Sequence, residues 1–193
     1  MEAMDIHDLQ VKNRSYRRFY QDPVPENVID YALENARIAN CSVNSQHLRY
    51  IAVLSKEKVE KMQPLVKWAA FLPPEIGSPK ANEQPTAFIV ITENRSSDSI
   101  QVDLGIAIHS ITISLIEKGY GSCIMGNIKR KEIAALLNIP EEEKIGLLIA
   151  VGKPRCTSTI VDAKKGDSLK YYVEDSRNYY VPKLAFNEVV RKI

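Results

Sequence analysis

Residues 99–118 carry apolar side chains around most of a helix. Ile100, Leu104, Ala107, Ile108, Ile111 and Leu115 recur at three- and four-residue spacing and define one stripe. Ile106, Ile113 and Ile116 widen that stripe until little polar surface is left. Such a helix must be covered on most sides, so the pattern predicts a central position in the fold. Gly119 follows directly and suits the left-handed residue that closes many helices. A chain of 193 residues supplies one substantial core and is short for two, so 1–193 is read as a single domain.

The same spacing rules predict helices over 26–39, 57–70 and 129–137. Pro23 and Pro25 stop the first of these from extending upstream. Strands are expected over 48–54, 86–92, 122–125 and 145–151, where β-branched and apolar residues run together. The segment 72–85 holds Pro73, Pro74, Gly77, Pro79 and Pro85 and reads as a lid or binding loop. Trp68 and Phe71, just before it, belong either to the core or to that lid. Residues 152–182, rich in Lys, Asp and Tyr, read as an extended irregular arm, with a last short helix over 183–191. Strands alternating with helices point, on element order alone, to a parallel α/β sheet.

Composition removes several function classes. The 26 basic and 24 acidic residues leave a formal charge of +2, too balanced to imply a nucleic-acid or membrane partner. Lys129-Arg130-Lys131 and Lys164-Lys165 read as solvated. Cys41, Cys123 and Cys156 form no CxxC pair, and their odd number argues against a disulfide framework. His7, His47 and His109 lack HxxxH or HExxH spacing, so no metal site is expected. Cys123 reads as a buried thiol. The first residues are acidic and lack an apolar core, which makes a cytoplasmic location the default expectation.

No GxGxxG follows a strand and no GxxxxGK[ST] is present, so neither glycine-rich phosphate cradle is supported. A nucleotide would have to be held by side-chain cations. Asn13-Arg14-Ser15-Tyr16-Arg17-Arg18-Phe19 offers three guanidiniums and a hydroxyl within five consecutive residues. Guanidinium presents a planar fork that matches phosphate oxygens. Alone, the segment reads as a solvated basic turn. Three further stretches keep it company: Cys41-Ser42-Val43-Asn44-Ser45-Gln46, Gly119-Tyr120-Gly121-Ser122-Cys123-Ile124-Met125-Gly126-Asn127, and Val181-Pro182-Lys183. In that order and at those separations, the set resembles the nitroreductase family of FMN-dependent oxidoreductases.

The resemblance implies an α+β, three-layer fold, with a mixed, mainly antiparallel sheet between helices and an intertwined homodimer. It therefore displaces the parallel sheet suggested by element order. Arg14, Ser15 and Arg17 match the family segment that contacts the FMN phosphate, ribityl chain and pyrimidine edge, while Asn13 stands where many members have arginine. Ser42, Asn44 and Gln46 match a Ser-x-Asn-x-Gln segment whose amide reaches the isoalloxazine, commonly from the second subunit. Gly126 and Asn127 fall where backbone passes the flavin's central ring, and Lys183 where a C-terminal cation meets the phosphate. His47-Leu48 replaces the Pro-Trp of many members. Asp103 is either a helix-dipole partner or a support for the site. The implied chemistry is hydride transfer from NAD(P)H through FMN to a nitroaromatic, quinone or related small oxidant, with the flavin doing the reaction and no side chain named as catalytic. A flavin-binding protein without nicotinamide turnover (a carrier, sensor or flavin-cleaving relative) is the alternative.

Overall fold

A computed structural model describes residues 5–95, 99–175 and 177–193. Helix α1 (Ile6–Lys12), which the sequence reading did not include, is capped by Asp5, whose carboxylate accepts the backbone N–H of His7 and Asp8. Then follow α2 (Glu26–Arg37), strand β1 (Leu48–Val53), α3 (Lys56–Met62), a one-turn α4 (Pro74–Gly77) and β2 (Ala87–Glu93). The second half holds α5 (Ile100–Glu117), β3 (Gly121–Met125), α6 (Arg130–Leu137) and β4 (Lys144–Gly152). It closes with β5 (Ser158–Ala163), β6 (Tyr172–Val173), β7 (Tyr179–Leu184) and a short α7 (Phe186–Val189).

The main sheet has the order β1-β2-β4-β3, and all three of its pairings are antiparallel. Element order pointed to parallel strands, but alternation counts elements and not their directions, and every neighbouring pair here runs antiparallel. The helix expected over 57–70 stops at Met62 because Pro64 lacks an N–H and clashes with the preceding turn. A 3-10 turn replaces it over Gln63–Leu65. The chain re-enters the sheet at the end where β1 finished, with Val53 opposite Phe88.

Side-chain alternation makes the sheet a double-sided core. Ala87, Ile89, Ile91, Ile149 and Val151 face α2 and α5. Phe88, Val90, Leu148 and Ala150 face α3 and α6, where Met62 and Ile133 are fully buried and Trp68 packs at the margin. The result is a three-layer α+β fold with α5 under the sheet as expected. By length and composition α5 is apolar enough to cross a bilayer. Here it is a core helix with ten buried residues, Asp103 among them. Gly119, at φ +81°, ends it.

Residues 152–182 are more regular than the sequence suggested. They form a second sheet of order β5-β7-β6, with β5 and β7 parallel. Lys183 lies in β7 rather than in a helix over 183–191, and only Phe186–Val189 is helical. The segment 72–85 contains α4 and a 3-10 turn at Ala81–Glu83. Glu83 is buried and takes both carboxylate oxygens to Arg177 Nη1, at 3.0 and 2.9 Å, which ties this segment to the arm. Arg130 is not merely solvated: its guanidinium donates to the carbonyls of Gly126, Ile145 and Gly146 and closes the β3–β4 end of the sheet.

Candidate active site

The Asn13–Phe19 segment leaves α1 as extended chain and runs along β3, the sheet edge. Tyr16 N–H donates to the Ser122 carbonyl at 2.8 Å, and Ser15 and Ser122 form a parallel bridge. This pairing covers an otherwise open strand edge. It also fixes Arg14, Ser15 and Arg17 at the mouth of a cleft of about 550 Å³. That volume lies within the range of roughly 300–1,000 Å³ typical of small-molecule sites.

Asn13, Arg14, Ser15, Arg17 and Lys183 all line the cleft, so five of the ten sequence candidates converge there. Among the described residues no carboxylate lines it, and none of its three cations forms an ion pair with an acidic side chain. Arg14 donates to the Gln10 carbonyl at 2.8 Å, but its buried Nε has no partner. Burial holds this guanidinium below its ordinary pKa, only partly offset by nearby Tyr16. Both facts describe a cation that an incoming anion would relieve. Arg17 is nine-tenths buried and is held by rings rather than by acid. Its Cζ lies 4.5 Å from the Tyr171 ring centroid and 5.0 Å from that of Tyr179. Cation–π contact of this kind orients the guanidinium without neutralising it. Tyr171 also accepts the Phe71 N–H at 3.3 Å, so Phe71 joins the arm while Trp68 joins the core.

Sequence reading missed the helical wall. Gly105, Ile108, His109 and Thr112 of α5 line the cleft at i, i+3, i+4 and i+7. That spacing was visible but was read as part of an all-round apolar helix. Asn13 Nδ2 donates to Thr112 Oγ1 at 3.0 Å, and Gln10 and His109 share a hydrogen bond of 2.9 Å. These contacts lock α1 onto α5. Asn13 thus spends a donor on the protein itself.

The other five candidates lie elsewhere in the chain. Gln46 lines a separate cavity of about 230 Å³, together with Cys41, His47 and Asp103. Ser42 and Asn44 form the adjacent 3-10 turn. That turn is strained: Val43, Asn44 and Gln46 have φ of 48°, 53° and 51°, a region that β-branched valine rarely adopts. Asp103 holds it in place. Its Oδ1 accepts the Ser42 N–H at 2.7 Å, and its Oδ2 the Ser45 hydroxyl at 3.4 Å. The Ser42 amide is the main reason its carboxyl sits below the ordinary aspartate range. Asp103 is therefore a support for the turn. Gly126 and Asn127 lie just past β3 and do not line the cleft. Their carbonyls accept from Arg130 and from the Lys67 N–H. Cys123 is buried beneath the segment, and burial pushes its thiol pKa up.

Comparison with known proteins fits this geometry. Residues 11–153 match the model of the nitroreductase family. The chain belongs to that family. Iodotyrosine deiodinase of Thermotoga neapolitana is 25% identical over 165 residues, covering 77% of this chain and 88% of that protein. Two solved structures share the fold. An FMN-dependent nitroreductase from Clostridium difficile R20291 is 22% identical with a TM-score of 0.64, covering 78% of this chain and 88% of that one. An oxidised iodotyrosine deiodinase bound to FMN and 3-iodo-L-tyrosine is 20% identical with a TM-score of 0.64, covering 78% and 90%.

Proposed function

We propose that this nitroreductase-family chain is an FMN-dependent oxidoreductase that takes hydride from NAD(P)H and delivers it to a nitroaromatic, quinone or related small oxidant. The observation that carries the reading is the cleft itself: Arg14, Arg17 and Lys183 converge on it, and no carboxylate among the described residues lines it. Three unneutralised cations and an orphaned guanidinium nitrogen fit one terminal phosphate. The apolar lining of Ile108, Ile124 and Leu147 suits a flat ring. Arg14, Arg17 and Lys183 would hold the phosphate end, and Ser15 would donate to the polyol. When bound, FMN would supply the hydride-accepting and hydride-donating centre.

We further propose a homodimer. Ser42, Asn44 and Gln46 lie outside their own chain's cleft, as they would if they served the partner's. Val43 is 98% exposed and Phe186 69% exposed, apolar surface that a second copy would cover. A single sedimenting species of monomer mass with flavin bound would contradict this.

Two of the similar proteins are iodotyrosine deiodinases. That likeness favours, as the second reading, a flavoprotein whose turnover does not draw on nicotinamide. Anaerobic mixing with NADH or NADPH separates the two. The first reading expects the flavin absorbance to bleach rapidly and return on addition of a quinone. A protein that holds FMN but is not bleached by either nucleotide supports the second.

A further inference from the structure

We infer that Gly105 is the point of closest approach between α5 and the ring system bound in the cleft, its missing side chain being a positioning element for that ring. The inference rests on the FMN reading and adds a residue outside the ten sequence candidates.

Gly105 sits inside the unbroken helix Ile100–Glu117. Glycine there is unfavourable relative to alanine, because it loses more backbone freedom on folding. Something should compensate, and the chain's own structure offers no reason. Gly105 is not among the positive-φ glycines, which are Gly119 and Gly166. A Cβ built on Gly105 would meet no described atom within 4 Å beyond its chain neighbours and its own helix backbone. Gly77 shows what a packing requirement looks like: a Cβ there would fall 2.6 Å from the Ala69 Cβ. Neither backbone conformation nor internal packing therefore asks for glycine at 105.

What remains is a contact from outside the chain, and the cleft says which. Gly105 lines the same cavity as Arg14, Arg17 and Lys183. Ile108 of the same helix face and Ile124 and Leu147 of the sheet give that cavity apolar walls. An anionic tail on the cations leaves a flat aromatic ring to lie among these walls. A glycine lets helix backbone approach such a ring without a methyl between them. Ile124 is 47% exposed, apolar surface that a ring would cover.

The test compares Gly105→Ala and Gly105→Val with the wild type in three measurements: melting of the apoprotein, FMN dissociation constant by flavin fluorescence quenching, and sedimentation without FMN. Gly105→Ala should raise the apo melting temperature by about 2–4 °C, because alanine is the better helix former. The same variant should weaken FMN binding about tenfold, and Gly105→Val more. Stability and affinity thus move in opposite directions, which a purely structural role would not produce. Three results would overturn the inference. One is FMN affinity within twofold of wild type in both variants. Another is a lowered apo melting temperature in Gly105→Ala, which would show that the chain's own packing needs glycine. The third is loss of the dimer without FMN, which would assign this face to a second copy. A wild-type chain that binds no FMN would instead overturn the functional reading, and this inference with it.

Discussion

Replacing Glu83 with alanine should destabilise the protein out of proportion to one surface ion pair. Glu83 has 9% of its side chain exposed and Arg177 22%. The Glu83 carboxylate also accepts the Lys80 N–H at 3.1 Å, and its backbone carbonyl accepts the Phe19 N–H at 2.9 Å. Arg18 is buried nearby with Nε and Nη2 lacking partners, and Arg177 Nη2 lacks one too. Removing the carboxylate would leave two enclosed guanidiniums uncompensated. Breaking a buried pair costs about 3–5 kcal/mol, and partial exposure of Arg177 places this case at the lower end. About 3 kcal/mol corresponds to a fall in Tm of roughly 6–12 °C for a chain of this size. Glu83→Gln, which keeps an acceptor for Lys80 but no charge, should fall between alanine and wild type. In the double variant Glu83→Ala/Arg177→Leu the loss should be smaller than the sum, because one stranded charge is gone. Burial alone would raise the Glu83 pKa, but the Lys80 amide and Arg177 outweigh it and hold the group below its ordinary 4.5. Its contribution is therefore complete above that ordinary value. It is lost as pH falls through the lower folded-state value, so the wild-type advantage over Glu83→Gln should shrink in acid below about pH 4.5. Urea melts of the wild type, Glu83→Ala, Glu83→Gln, Arg177→Leu and the double variant, at neutral and acid pH, measure all of this. A loss below about 1 kcal/mol for Glu83→Ala would place the pair among exposed ones and refute the argument.

Four other outcomes are expected. Gly119→Ala should lower stability by about 1–2 kcal/mol through strain alone, since φ is +81° and a Cβ would meet nothing within 4 Å; thermal melts check it. Arg17→Ala should weaken FMN binding by roughly 10- to 150-fold, the equivalent of about 1.5–3 kcal/mol for charge-assisted hydrogen bonds. Asn44→Ala should keep most of its FMN while shifting reduction potential or slowing reduction, and potentiometry with single-turnover kinetics separates the two variants. Asp103→Asn should free the 42–46 turn, seen as faster hydrogen exchange at the Ser42 amide, whose charged acceptor at 2.7 Å would be gone.

Local signals in the chain were enough to define α5, its Gly119 terminus, the four strands of the main sheet and the cationic segment that lines the cleft. Each depends on periodicity, β-branching or a short motif, and such patterns survive without knowledge of neighbours. Pro64 was also a local signal: it ends α3 at Met62, short of the helix expected to reach 70. Other features had no local signature. The strands β5 and β7 become a sheet only by pairing residues about twenty positions apart, such as Ser158 with Tyr179, so a polar stretch looked irregular until its partner was in place. The cleft gathers Arg14, His109, Leu147, Tyr171 and Lys183 from separate elements. Motifs named its cations, but only folding decided that no carboxylate of the described residues would share their space. Only folding could show that Gly105 faces the cleft without meeting another atom of its own chain, because that is a matter of distance across the fold rather than along the sequence.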